Sequence, residues 1–75
     1  MRELVEYIAK SIASKPEEVK VTEIVEGGRV ILRLEVAVED KGKVIGREGR
    51  VGQAMRVLLR VAAVKQGARV MLEIV

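Results

Sequence analysis

The first part of the chain alternates apolar and polar positions in two different rhythms. An amphipathic helix over residues 2–14 is predicted by apolar residues at helical spacing: Leu4, Val5, Ile8, Ala9 and Ile12. Pro16 ends this helix and begins a short polar turn. Residues 19–26 and 29–37 then alternate with the period of β-strands. The two glycines between them, Gly27 and Gly28, predict a tight β-hairpin.

A two-residue turn fixes the expected pairing of the hairpin. It places Glu26 opposite Arg29, Ile24 opposite Ile31, Lys20 opposite Glu35 and Val19 opposite Val36. One face then collects the apolar residues Val19, Val21, Val25, Val30, Leu32, Leu34 and Val36. Glu23 falls opposite Leu32 on this apolar face. Either it lies in water at the sheet edge, or the register slips near the turn.

The second half of the chain predicts two helices and a last strand. A short helical turn covers residues 39–45, with Glu39 and Asp40 suited to its start. A long helix follows over residues 50–65 and ends at Gly67, and residues 69–75 alternate as a third strand. The order is α-β-β-α-α-β in one domain of residues 1–75. The helical crossover makes the second and third strands parallel, so we expect an α+β fold, a two-layer α/β sandwich with a three-stranded mixed sheet.

The long helix is apolar around more than half of its circumference. Covering one sheet requires a stripe of only ~100° or a little more, so the surplus must contact something else. That partner is either the first helix of the same chain or another subunit. We expect Met55, Leu59 and Ala63 to form the dimer or partner interface.

Composition excludes several classes of function. The 75 residues contain no Cys and no His, which removes the usual nucleophiles, general bases and metal ligands, so we expect neither an enzyme nor a metal or cofactor site. Tyr7 is the only aromatic residue, so a site that stacks bases on aromatic rings is excluded. No apolar run is long enough to span a membrane, and the first residues lack a signal-peptide core. We therefore expect a cytoplasmic protein.

Positive charge is concentrated in one stretch of the chain. Residues 41–60 hold six basic residues and the single acid Glu48, whereas the remainder holds eight basic and ten acidic residues. The six are Lys41, Lys43, Arg47, Arg50, Arg56 and Arg60. This distribution indicates a surface for a polyanion, although a solvated charged face would produce the same count.

The string Gly46-Arg47-Glu48-Gly49 lies inside this basic stretch, between the two predicted helices. Two glycines around two exposed polar residues permit a tight turn in which a phosphate approaches main-chain N–H groups. The helix that begins at Arg50 directs its N-terminal dipole to the same place. Alone, G-x-x-G is also typical of a helix corner that needs glycine for close packing.

With these flanks, the chain resembles a type II KH domain, and more narrowly the small bacterial single-KH proteins of the KhpA (YlqC-like) family. The strings that carry the resemblance are residues 4–10, Gly42-Lys43-Val44-Ile45-Gly46, Gly49-Arg50, Ala54-Met55-Arg56 and the terminal strand. The resemblance implies a non-enzymatic protein that binds single-stranded RNA. It also implies a homodimer, or a heterodimer with the larger Jag-type KH protein (KhpB, also called EloR). Roles in RNA chaperoning and in cell elongation and division follow from the same resemblance.

Carried over residue by residue, the resemblance assigns the backbone clamp to Gly46, Arg47, Glu48 and Gly49. The hydrophobic groove falls on Val44, Ile45 and Val51, with Arg69 and Met71 across from them on the last strand. Lys43 and Arg50 add charge beside the loop. Two residues depart from the family pattern. Glu48 places an acid in the clamp, and Gly52 lies inside the long helix, where its missing side chain either widens the groove or admits a partner.

Three functional hypotheses follow from the sequence. The first is a KH module for single-stranded RNA, acting as an RNA chaperone or post-transcriptional regulator. The second is a dimerising adaptor whose main ligand is a protein and whose RNA binding is weak. Catalysis is the least favoured, because no phosphate-binding G-x-x-x-x-G-K-[ST] loop accompanies the missing His and Cys.

Overall fold

A computed structural model describes all residues, 1–75. Its helices are α1 (Arg2–Ile12), α2 (Lys41–Ile45) and α3 (Arg50–Gln66), and its strands are β1 (Lys20–Glu26), β2 (Arg29–Glu35) and β3 (Arg69–Ile74). Short 3₁₀ turns cover Pro16–Glu18, Val38–Asp40 and Arg47–Gly49. The predicted α-β-β-α-α-β order and the α+β class are confirmed. No helix combines the length and the apolar character needed to cross a membrane.

The sheet has the strand order β1-β2-β3, with β1 antiparallel and β3 parallel to the central strand. The predicted pairs Glu26–Arg29, Ile24–Ile31 and Lys20–Glu35 are present. Val19 and Val36 lie just outside the ladder, because the strands begin and end one residue nearer the turn. Glu23 does pair with Leu32, so the register does not slip, and its side chain is exposed on the edge strand β1.

The core lies between one face of the sheet and the three helices. Its fully or nearly fully buried side chains come from every helix and strand: Val5, Ala9, Val21, Val30, Leu32, Leu34, Val44, Met55, Leu59, Leu72. Val25 was expected on this face but is 65 % exposed. Val25 lies next to the hairpin turn, and Val21 is the only residue of β1 in the buried core. The other face of the sheet carries no helix.

The first helix ends two residues earlier than its apolar pattern predicts. Ala13 already has an extended backbone, and the chain then bonds to Asp40 instead of continuing the helix. The buried Asp40 carboxylate accepts hydrogen bonds from Ser14 N–H (3.1 Å), Ser14 Oγ (2.6 Å) and Lys15 N–H (3.0 Å). These bonds lower the pKa of Asp40, the Ser14 hydroxyl contributing most. They tie the end of α1 to the start of α2, which leads into the glycine loop.

The long helix packs differently from the sequence-based expectation. Met55, Leu59 and Ala63 are 1–2 % exposed and face the core, so their assignment to a partner interface is wrong. The apolar pattern could not distinguish the buried side of α3 from the exposed one, because both sides of the helix are apolar. Its exposed apolar residues are Val57, Leu58, Val61 and Val64, which at about 100° per residue lie on the opposite side of the helix from the buried row. We call these four residues the outer stripe.

Candidate nucleic-acid interface

The glycine loop joins α2 to α3 through a backbone that requires glycine at Gly46. This residue has φ 82° and ψ 169°, a combination that essentially only glycine adopts. A Cβ placed on it would lie 2.5 Å from Val51 Cγ2 and 2.8 Å from the Val51 backbone nitrogen. The first loop glycine is therefore needed both for its conformation and for the close approach of α3.

The loop leaves main-chain donors available for an anion. Gly49 N–H donates to the Gly46 carbonyl (3.0 Å), and Arg50 N–H donates to the Arg47 carbonyl. The N–H groups of Arg47 and Glu48 come before this first turn and have no main-chain acceptor. Gly49 begins α3 in a left-handed conformation, and no side chain caps the helix. The first-turn amides of a seventeen-residue helix and its dipole therefore face this loop.

The charges around the loop are solvent-exposed and mostly positive. Lys43, Arg47 and Arg50 all lie on the surface. Glu48 pairs with Arg50 at 3.4 Å, and both side chains remain more than 70 % exposed. Such a pair contributes little to stability and can open readily. Glu48 also has a positive φ of 57°, unusual for a residue with a side chain.

A groove continues from the loop between α3 and β3, which run in opposite directions. At the loop end, Gly52 is buried, and the Arg56 guanidinium occupies the space that its missing side chain leaves. A Cβ there would lie 3.2 Å from Arg56 Nη1, 3.5 Å from Ile74 Cδ1 and 3.8 Å from the Ile45 carbonyl oxygen. Ile45, which is 41 % exposed, provides an aliphatic wall here. Val51, half-buried, lies between this wall and Gly46.

Farther along, the groove is a cleft of about 220 Å³ with both apolar and basic walls. Its lining comprises Arg56, Leu59, Arg60, Val70, Met71 and Leu72. Arg56 Nη2 donates to the Leu72 carbonyl (3.2 Å), so the guanidinium is held at the free edge of β3. A second cleft of about 400 Å³ shares Arg60, Val70 and Met71 with the first and extends it to the far end of β3.

The structure brings together most, but not all, of the site residues named from the sequence. Lys43, Ile45, Val51 and the four loop residues cluster with Arg50 at one end of the groove. Val44 does not line it, because its side chain is fully buried in the core, so its predicted place in the groove wall is wrong. Arg69 lies at the far end of the groove rather than beside the loop.

Sequence reasoning missed two arginines of the groove. Arg56 and Arg60 are four residues apart on α3 and therefore share one face of the helix. Both were counted in the basic stretch, and their spacing was the signal that placed them together. Neither could be assigned to the groove without β3, which supplies its other wall.

Together, the fold and the glycine loop define a KH domain of type II topology. Residues 2–74 match the family described as KhpA/KhpB, KH domain. The chain is 48 % identical to RNA-binding protein KhpA of Clostridium perfringens and to that of Caldanaerobacter subterraneus, in each case over all of both chains. It is also 48 % identical to RNA-binding protein KhpA of Borreliella burgdorferi, over 96 % of this chain and 88 % of the relative. No solved structure matches the chain.

The chain belongs to the KhpA/KhpB family of KH domains. This confirms the resemblance drawn from its sequence motifs. The family is non-enzymatic, so the expectation that the chain is not an enzyme is confirmed as well.

Proposed function

We propose that this protein binds single-stranded RNA through the glycine loop and the groove behind it. A backbone phosphate would accept hydrogen bonds from the free amides of Arg47 and Glu48 and from the first turn of α3. The observation that carries the proposal is the convergence of these donors at a helix start without a side-chain cap. The relatives that share the whole chain carry the name RNA-binding protein.

The bases would lie in the groove between α3 and β3. Their faces would contact aliphatic side chains, chiefly Ile45, Val51 and Ile74, because the only aromatic residue, Tyr7, is on α1. Aliphatic walls lack the base–aromatic stacking that contributes roughly 1–3 kcal/mol per base elsewhere. We therefore expect modest affinity, weak sequence selectivity and strong dependence on salt.

The loop is tested by replacing Arg47 and Glu48 together with aspartate. Both side chains are exposed, and aspartate tolerates the left-handed backbone at position 48, so the fold should persist. RNA binding at moderate salt should be lost, as measured by fluorescence anisotropy with a labelled single-stranded RNA. Arg2→Asp is the matched control, because it also lowers the net charge by two and lies at an exposed helix start. Equal loss of binding in both variants would mean that overall charge, not the loop, binds RNA.

We further propose that the outer stripe of α3 forms a subunit interface. The side chains of its four residues are 48–73 % exposed. The first helix, α1, packs against β1, β2 and α2 and does not cover the outer stripe. The interface would serve a homodimer, or a heterodimer with the larger Jag-type KH protein (KhpB/EloR). A chain of 75 residues also gains stability from such association. Sedimentation should show a dimer that Val61→Glu converts to a monomer, and a monomeric wild-type chain would exclude the homodimer.

In the cell, we propose a cytoplasmic RNA chaperone or post-transcriptional regulator linked to cell elongation. The outer stripe also supports a second candidate, a dimerising adaptor that acts mainly through a protein partner and binds RNA weakly. Crosslinking in cells separates the two. Abundant crosslinked RNA that is lost in the double aspartate variant supports the first candidate, whereas a partner retained after nuclease treatment without crosslinked RNA supports the second.

A further inference from the structure

Three arginines converge at the end of the groove that lies farthest from the glycine loop. Arg29 begins β2, Arg69 begins β3, and Arg60 extends from α3. All three line the larger cleft of about 400 Å³, together with the apolar side chains of Ala63, Val64, Ala68, Val70 and Met71. We call Arg29, Arg60 and Arg69 the distal arginine site.

The three positive charges of this site are not neutralised by salt bridges. Arg29 and Arg69 are direct neighbours in the parallel ladder, an arrangement in which equal charges destabilise a sheet. None of the three arginines forms an ion pair. Glu26 is the ladder partner of Arg29 across the hairpin, but no salt bridge joins their side chains. Arg33, on the same face of the sheet, is bound by Glu73 at 3.5 Å.

The backbone under the distal arginine site is fixed by the fold. Arg69 N–H donates to the Gly28 carbonyl at 3.2 Å, which joins the start of β3 to the hairpin turn. Ala68 N–H donates to the Ala63 carbonyl at 3.0 Å and closes the turn between α3 and β3. The arginine Cα positions are thus set before any ligand arrives, which lowers the entropic cost of binding one.

The site is separated from the glycine loop by the length of β3. The six residues of this strand rise about 3.3 Å each, so roughly 17 Å separates Arg69 from Ile74 beside Gly52. Nucleotides spaced as closely as in a duplex strand, about 3.4 Å each, would cover this distance with about five units, and a more extended strand would need fewer. The smaller cleft adjoins the larger one through Arg60, Val70 and Met71. Arg56, which lines the smaller cleft, brings its guanidinium next to Gly52 at the loop end. A row of basic side chains therefore leads from the loop to the distal arginine site.

We propose that the distal arginine site is a second phosphate-binding point for the same RNA strand. The inference rests on the proposed RNA function and extends it: the footprint is longer than the roughly four nucleotides of a G-x-x-G clamp alone. The arginines bind backbone phosphates, and the exposed Met71 between the two points offers an apolar surface to a base.

Anisotropy titrations with labelled oligouridines of about four and about ten nucleotides test this inference. Arg29→Gln combined with Arg69→Gln should weaken binding of the longer RNA roughly fivefold to tenfold, and should lower the salt slope by about 0.7 for each phosphate released. Binding of the shorter RNA should be unchanged. The control is Arg33→Gln, which removes an exposed but ion-paired arginine from the same sheet face and should change neither titration.

The outcomes separate this inference from the proposed function. The distal arginine site is not a second binding point if the double variant binds the longer RNA as tightly as the wild type does. The same conclusion follows if the variant loses affinity equally for both RNAs. In both cases the glycine-loop function stands. If the wild type binds neither RNA, the proposed function itself fails, and the second binding point fails with it.

Discussion

Replacing Gly46 with alanine tests the strictest geometric requirement of the glycine loop. The φ and ψ of this residue lie in a region that costs other residues about 1–3 kcal/mol. The new Cβ would also meet Val51 Cγ2 at 2.5 Å and the Val51 backbone nitrogen at 2.8 Å, and overpacking of this kind typically costs about 1–3 kcal/mol. The variant should therefore lose about 2–6 kcal/mol of unfolding free energy.

That loss is large for a chain of this size. Stabilities of roughly 0.05–0.15 kcal/mol per residue give about 4–11 kcal/mol in total. At about 4–8 °C per kcal/mol, Gly46→Ala should lower Tm by about 8 °C or more. The measurements are urea unfolding for the free energy and thermal unfolding for Tm, both followed by far-ultraviolet circular dichroism at one fixed protein concentration. Fluorescence is less useful, because the chain has no Trp and a single Tyr.

Gly49→Ala is the matched control for this prediction. Gly49 also has a positive φ, but a Cβ there would meet nothing within 4 Å, so its cost is limited to the left-handed backbone, about 1–2 kcal/mol. Adding Val51→Ala to Gly46→Ala should recover only part of the loss, because the contacts to Val51 Cβ and N remain. If Gly46→Ala costs no more than Gly49→Ala, the close approach of α3 does not constrain the loop.

Three further predictions concern single side chains. Gly52→Ala should be neutral or stabilise by up to ~1 kcal/mol, because helix propensity improves and the nearest atom, Arg56 Nη1 at 3.2 Å, can move; urea unfolding checks this, and clear destabilisation would contradict it. Asp40→Asn should destabilise at neutral pH. Because folding lowers the pKa of Asp40, its contribution is complete above the unfolded-state pKa of about 4 and is lost as pH falls further, so the two stability curves should converge in acid; a constant gap would contradict the pKa shift. Glu48→Asn should raise RNA affinity a few-fold in anisotropy titrations, because it removes the acid paired with Arg50 and suits the positive φ; unchanged affinity would mean that Glu48 already points away from RNA.

Local pattern was sufficient for much of the fold. The two-residue turn at Gly27-Gly28 determines the hairpin register, and the helical crossover determines that β3 is parallel to β2. Both features follow from short-range geometry, so a single sequence is enough to predict them. Element ends were less predictable, because α1 stops where Ser14 and Lys15 bond to Asp40, a residue more than twenty positions away.

The candidate site was predictable only where it is local. The glycine loop and its flanking charges form a continuous string, and the structure keeps them together. The faces of α3 could not be assigned in the same way, since Met55 and Val57 are both apolar and only the packing of the sheet decides which is buried. The groove needs β3, which lies far along the chain from the loop, so Arg56 and Arg60 became part of it only in three dimensions.

The central claim is that main-chain amides of the glycine loop bind the RNA backbone. Amide chemical shifts recorded during titration with a short single-stranded RNA test it most directly. If the loop binds RNA in this way, saturable shifts are expected at the amides of Arg47 and Glu48 and in the first turn of α3, with smaller ones along β3. Shifts confined to the outer stripe, or to exposed lysines and arginines elsewhere with none in the loop, would contradict it.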